Sequence, residues 1–195
     1  MKYGDLTLGK AEAIVNKLGG MEGVKRFLAG ELELVEAAKP AFPTWRTVKL
    51  GTGLKTATDF RSALMMHGYE VSVYANNLLD KVAVANQEID VNLVDVSAAE
   101  LGFPRGATRA EIYRRAHKRG LELCPAEVGP QLRLQYPDQP DNEWRLIAMK
   151  PLNGSGRDFS TFVVTRIGPN RWLNDFLIDP ARVWNAAARL VFVRH

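Results

Sequence analysis

One cysteine and three histidines are all this 195-residue chain offers as thiol or imidazole groups. A lone Cys124 excludes an internal disulfide framework and leaves the compartment unmarked. His67, His117 and His195 are scattered, and none has a second histidine at metal-ligand spacing, so neither a metal site nor a cofactor is expected. No apolar run approaches the ~20 residues that span a bilayer, and the N-terminus lacks the apolar stretch of a signal peptide. Internal repeats and low-complexity segments are absent as well. The expectation is a cytoplasmic protein by default, with display on a virion or cell surface as the alternative.

What remains is ordinary for a soluble globular protein, at 46% apolar and 25% charged residues. The length allows one substantial core, or one domain with a small appendage. The net charge of +4 speaks mainly to solubility.

Two short helices open the chain. Leu8, Ala11, Ile14, Val15 and Leu18 keep helical spacing until Gly19 and Gly20, and Met21, Val24, Phe27 and Leu28 repeat it until Gly30. Two prolines in residues 39–44 mark a linker, so residues 1–44 read as a helical hairpin plus linker and 45–195 as the main domain. Within the latter, 45–50 and 91–96 read as strands and 58–68 and 74–79 as helices. Thr108 and Glu111 form a capping box for a helix that Gly120 closes. After Pro140 the chain turns to strands, at 143–150 and 159–167, joined by a hairpin-like turn at 153–158. The run Leu190 to Val193 is apolar at consecutive positions, the mark of a central strand covered on both faces. Helices in the middle and strands toward the end give an α+β fold with an antiparallel sheet.

Catalytic signals are weak, and the protein is expected not to be an enzyme. Cys124 precedes a proline in an apolar setting and reads as a buried structural thiol. Gly51 and Gly53 lack the third glycine of a dinucleotide loop and read as a turn. Asp138 and Asp141 read as a solvated loop. The alternative to a protein-binding role is a winged-helix-like nucleic-acid-binding protein using the basic helix 108–119, with Arg109, Arg114, Arg115, Lys118 and Arg119 on it and Arg133 beside it. Against that stands Gly129-Pro130, which is expected to interrupt the would-be recognition helix.

The C-terminus carries the strongest signal. Trp172, Trp184, Leu190 and Phe192 read as a buried frame. Between and around them, Asn174, Asp175, Phe176, Leu177, Ile178, Asp179, Ala181, Arg182, Val183, Asn185, Ala186 and Ala187 follow neither a helical nor a strand period. Unpatterned content on a rigid frame suits a binding surface, because loop residues vary without unfolding the domain. These twelve are the candidate ligand-binding residues, expected to form a contiguous solvent-facing patch. Alanine at Phe176 or Ile178 should therefore leave stability nearly unchanged.

Two resemblances bear on this. Residues 16–31 (NKLGGMEGVKRFLAGE), 49–56 (KLGTGLKT) and 123–136 (LCPAEVGPQLRLQY) are similar to hypothetical proteins of uncultivated, small-genome prokaryotes, which brings no activity with it. Trp172, Leu173 and Asn174, followed by Trp184, Asn185 and a closing Leu190 to Arg194, resemble the variable region of proteins diversified by retroelements. That resemblance implies a C-type lectin-like fold and a target protein of a diversity-generating retroelement, displaying its variable side chains to a macromolecular ligand, most naturally a protein. It also implies that adenine replacement in asparagine codons makes the variation, which cannot yield Lys, Glu, Gln, Met or Trp. Those five types are 35 of the 195 residues yet are missing from the sixteen positions between 174 and 190 other than Trp184. At that frequency chance absence is about 4%, which favours the resemblance.

Overall fold

The computed structural model describes residues 7–32, 42–154 and 157–194, without the side chains of 154 and 157–159. The chain divides into two compact units, 1–40 and 41–195. Pro40 of the expected linker, His195 and residues 155–156 of the expected turn lie outside the described residues.

The first unit is a helical hairpin of α1 (Leu8–Lys17) and α2 (Gly20–Leu28). Thr7 caps α1 by accepting the Lys10 N–H at 3.4 Å. Gly19 at φ 87° and Gly20 at φ 82° turn the chain between the helices, a conformation that side-chain-bearing residues avoid. At Gly23 a Cβ would lie 1.5 Å from the Leu18 carbonyl oxygen, so only glycine lets α2 approach that closely.

The second unit is α+β. Its elements run β1 (Arg46–Leu50), α3 (Ala57–Met66), β2 (Glu70–Val71), α4 (Val73–Leu79), β3 (Ile89–Ser97), β4 (Ala107–Thr108), α5 (Arg109–Lys118), β5 (Leu121–Glu122) and α6 (Val128–Gln135). Then follow β6 (Trp144–Ile147), β7 (Leu152–Gly154), β8 (Arg157–Ile167), β9 (Asn170–Leu177), β10 (Val183–Trp184) and β11 (Arg189–Arg194). The main sheet has the order β1-β3-β11-β6-β8-β9-β2. Along that path the pairs are antiparallel except β11 with β6 and β2 with β9.

The central strand is the one that closes the chain. Leu190, Val191, Phe192 and Val193 are all buried, between β3 and β6. Alternate residues serve two cores. Val191 and Val193 join Leu93, Phe162, Val164, Leu173, Phe60 and Leu132 under α3, α4 and α6. Leu190 and Phe192 join Val94, Val96, Leu146, Val163, Ile112 and Trp184 beneath α5 and the chain around residue 101. Each full burial of such a side chain contributes about 1.5–3 kcal/mol, so the two-sided strand is the backbone of the unit's stability.

Two expectations are corrected. Gly129-Pro130 does not interrupt a helix, because α6 runs straight through it. Pro130 is the third helical residue, within the first turn, where the backbone N–H has no helical partner to lose. Gly129 is where α6 meets the sheet: a Cβ there would stand 2.5 Å from the Phe162 ring. The second correction concerns residues 174–177, which continue strand β9, paired through Ser160↔Leu177 and Thr161↔Phe176. Their strand period is invisible in sequence because both faces of the sheet margin are partly covered, so apolar and polar residues do not alternate.

One buried carboxylate pins the loops to α6. Glu127 is 1% exposed, and its oxygens accept the backbone N–H groups of Gly51 at 2.7 Å and Ala85 at 2.8 Å. Gln131 Nε2 donates to it as well, at 3.1 Å. Gly51 is a turn at φ 67° whose missing Cβ would collide with the Gln87 carbonyl oxygen at 2.2 Å.

Candidate ligand-binding groove

The segment before β11 is fixed by its backbone. Asp179 Oδ1 accepts the Ala181 N–H at 2.9 Å and its carbonyl accepts the Arg182 N–H at 3.1 Å, which closes a turn around Pro180. β10 then pairs with β4, Val183 opposite Thr108 and Trp184 opposite Ala107. Gly106, at φ 82°, lies so near that a Cβ would meet the Trp184 carbonyl oxygen at 2.1 Å. A second turn follows, Ala188 N–H to Asn185 carbonyl, and the N–H groups of Ala98 and Ala99 tie residues 186 and 188 to the end of β3. Backbone bonds and the Asp179 carboxylate hold this loop, leaving its other side chains free of that duty.

The side chains divide into two sets. Leu177, Asp179, Ala181, Arg182, Val183, Asn185 and Ala187 are exposed, and Ala186 is half-buried. Ile178, by contrast, is 4% exposed, which corrects its place in a solvent-facing patch. It follows the last residue of β9 and turns inward there. Asn174, Asp175 and Phe176 are half-buried and engaged: Asn174 Nδ2 donates to Thr165 Oγ1 at 3.0 Å, and Asp175 accepts the Ser72 hydroxyl at 3.0 Å. Phe176 meets Trp184 edge-on, 5.5 Å between centroids. Of the expected frame, Trp184, Leu190 and Phe192 are buried, while Trp172 is half-buried.

Phe176 and Trp184 form one wall of a cavity of about 340 Å³. Trp144 and Leu146 of β6, Val163 of β8, Val183, Asn185 and Arg182 complete most of the lining. Register explains the convergence, since Leu146 lies opposite Val163 on β8 and Leu190 on β11, and Thr161 opposite Phe176. Trp144 and Val183 stay 53% and 61% exposed at the rim, an apolar surface that water covers poorly. Four of the twelve expected residues, Phe176, Arg182, Val183 and Asn185, reach this cavity. Trp144, Leu146 and Val163 were not foreseen, because nothing in a strand's sequence says which of its residues face a neighbouring loop.

Two arginines border the groove with opposite electrostatics. Arg189 is neutralised: Nε sits 3.0 Å from Asp95 and Nη2 3.6 Å from Glu100. Asp95 also lies 2.8 Å from Arg145 Nε, although that N–H is not aligned with the oxygen. The Ser97 backbone N–H holds the Glu100 carboxyl below the usual carboxylate range, with smaller help from the Ser97 hydroxyl and Arg189, against the effect of burial. Arg182 lies over the Phe176 ring at 5.0 Å and has no carboxylate within ion-pair distance among the described residues. A ligand carboxylate placed there meets an unspent cation on an aromatic platform.

The other singled-out residues lie elsewhere. Cys124 is buried, its thiol donating to the Val191 carbonyl at 3.3 Å, and burial pushes its pKa far up. Tyr113 and His117 line a separate cavity of about 420 Å³ with Phe192, and burial pushes the Tyr113 phenol up. His67 caps α3, its Nδ1 2.8 Å from the Ala63 carbonyl. On α5, Arg115 Nη1 donates to the Leu101 carbonyl at 3.2 Å and Arg119 lies over Phe42. Arg133 is wholly buried under the sheet's other face, which corrects the idea of an open basic face shared with α5. No known protein family, curated protein or solved structure matches the chain.

Proposed function

We propose that this protein is a ligand-binding module that acts through the groove of its C-terminal segment, by recognition and not by catalysis, and that its ligand is a protein segment. The observation that carries the reading is the cavity between Phe176, Trp184, Trp144 and Val183 with the uncompensated Arg182 at its edge. Aromatic anchors beside an arginine make the character of interaction hot spots. A volume near 340 Å³ suits one or two apolar side chains with an adjoining acidic group.

The reading extends to origin and fold. A backbone-fixed loop whose side chains are largely exposed supports a variable region of the kind retroelements diversify, on a lectin-like α+β scaffold. Diversification is then expected at Leu177, Asp179, Ala181, Arg182, Val183, Asn185, Ala186 and Ala187, with Ile178, Trp184 and Leu190 constant. The test has two parts. Deep sequencing of the gene in its natural population should show replacements concentrated at those eight positions, beside a reverse transcriptase gene and an adenine-rich near-copy of codons 171–194. Panning a displayed peptide library on the folded protein should yield binders that lose at least tenfold in affinity on Val183→Asp or Arg182→Ala. Binders indifferent to both substitutions would refute the groove.

A further inference from the structure

The sheet face beneath α6 ends in an arginine cluster that the groove does not use. Register sets Arg166 of β8 directly opposite Arg171 of β9, on the face of Val164 and Leu173. Like charges in that arrangement repel. α6 adds a third guanidinium. Arg133 is 0% exposed and donates to Gln139 Oε1 at 2.5 Å, the Thr165 carbonyl at 3.3 Å and the Tyr136 carbonyl, with its guanidinium 4.8 Å from the Tyr69 ring. Gln139 bridges the cluster, because its main-chain carbonyl accepts Arg166 Nη1 at 2.7 Å. Burial lowers the Arg133 pKa to about 10, and the charges of Arg171 and Arg166 press the same way.

No acid answers these three charges. Among the described residues none of them lies within 4.0 Å of a carboxylate oxygen. Asp141 is spent on the N–H groups of Gly168 and Asn142, and Glu143 on Tyr136 and Arg145. Glu70 pairs with Trp172 and so shares the opposite face. Arg171 is the least explained: half-buried, with Nε shielded from solvent and no hydrogen-bond partner. Arg133 Nε is equally buried and unpartnered. Orphaned charged donors are costly, and two in one like-charged cluster call for a compensating anion.

We propose that Arg171 and Arg166, backed by Arg133, form a binding site for a tetrahedral oxyanion of the phosphate class. Arg171 offers its unpaired donors to such an ion. Arg166, whose Nε and Nη1 donate to the Gly168 and Gln139 carbonyls at 3.0 and 2.7 Å, adds its remaining Nη2, and a dianion between them turns the cross-strand repulsion into attraction. The phosphate is either the free ion or the terminal group of a larger molecule.

The full chain is melted at pH 7 in sodium chloride and in sodium phosphate of equal ionic strength, with Arg171→Gln, Arg171→Met and the remote control Arg114→Gln alongside. Phosphate at about ten times its Kd should raise the wild-type Tm by about 3–6 °C over chloride. Arg114→Gln keeps that increment. Both 171 variants lose it while melting in chloride at or above the wild-type temperature, because the like-charge pair is relieved. Phenyl phosphate separates the sources: an increment at lower concentration than inorganic phosphate requires assigns the site to a phosphate carried on a larger molecule, and any other increment assigns it to the free ion. The proposal is overturned by no phosphate increment in the wild type. It is overturned equally by an undiminished one in Arg171→Gln, as general salt exclusion gives, or by a large loss of Tm in chloride for both 171 variants, which would show Arg171 already satisfied.

Discussion

Replacing Ile178 by alanine separates the frame of the C-terminal segment from its display positions. Ile178 is 4% exposed and Val183, five residues on, is 61% exposed, so the same truncation has opposite consequences. Alanine at 178 removes three buried carbons at about 0.8 kcal/mol each, and incomplete collapse of the space left adds to that, for about 3 kcal/mol in all. For a chain of this length that lowers Tm by about 6–12 °C. Val183→Ala removes two carbons that water already reaches, and should stay within about 0.5 kcal/mol. Thermal melts and urea midpoints of the two variants, measured side by side, give the comparison. Equal losses, or a loss at Val183 alone, would show that the division of the segment into anchored and displayed positions is wrong.

Other parts of the fold make their own predictions. Gly129→Ala places a methyl 2.5 Å from the Phe162 ring and should cost about 1–3 kcal/mol in urea unfolding, although alanine is the better helix former. Glu127→Ala strands the Gly51 and Ala85 N–H groups, for a loss of about 2–4 kcal/mol, and hydrogen exchange at those two amides should accelerate ahead of the rest of the unit. Four carboxyls sit below their usual range: Asp59 through the Lys55 backbone N–H and the Thr56 cap, Glu111 through the Thr108 hydroxyl and N–H, Glu100 through the Ser97 N–H, and Asp138, against the effect of burial, through its own backbone N–H and Arg46. A depressed folded pKa contributes stability that is complete above the ordinary carboxylate range and is lost as pH falls through the folded values. The urea midpoint should therefore hold from neutral pH to about 4.5 and decline below it, less steeply in Glu111→Gln.

The parts of this fold that were legible in the sequence are those set by local chemistry. Glycine pairs and capping boxes are local signals, so α1, α2 and α5 stand where their spacing and caps put them: Thr108 and Glu111 bond reciprocally, and Gly19 and Gly20 break the first helix. The apolar run 190–193 announced a strand covered on both sides, and β11 is that strand. Its parallel pairing with β6 could not be read, because partner choice depends on how distant segments meet. α6 was hidden for a physical reason too. Its glycine and proline look like breakers, yet one serves a close contact with Phe162 and the other occupies a position with no hydrogen bond to lose. For the groove, the sequence indicated the loop and its neighbouring tryptophan but not Trp144 or Val163, which arrive from strands paired through long-range register. Nor could composition show that Ile178 faces inward among exposed neighbours, since one side chain's direction at a strand end is decided by the packing around it.

The most direct test of the central claim is the hydrogen-exchange footprint of a peptide selected against the folded protein. Saturating ligand should slow exchange at residues 144–146, 176–177 and 182–185, the backbone bordering the groove, and leave α3, α4 and α5 at their free rates. Protection confined to α5, or to the helices beneath the sheet's other face, would contradict the account and place recognition away from the C-terminal segment.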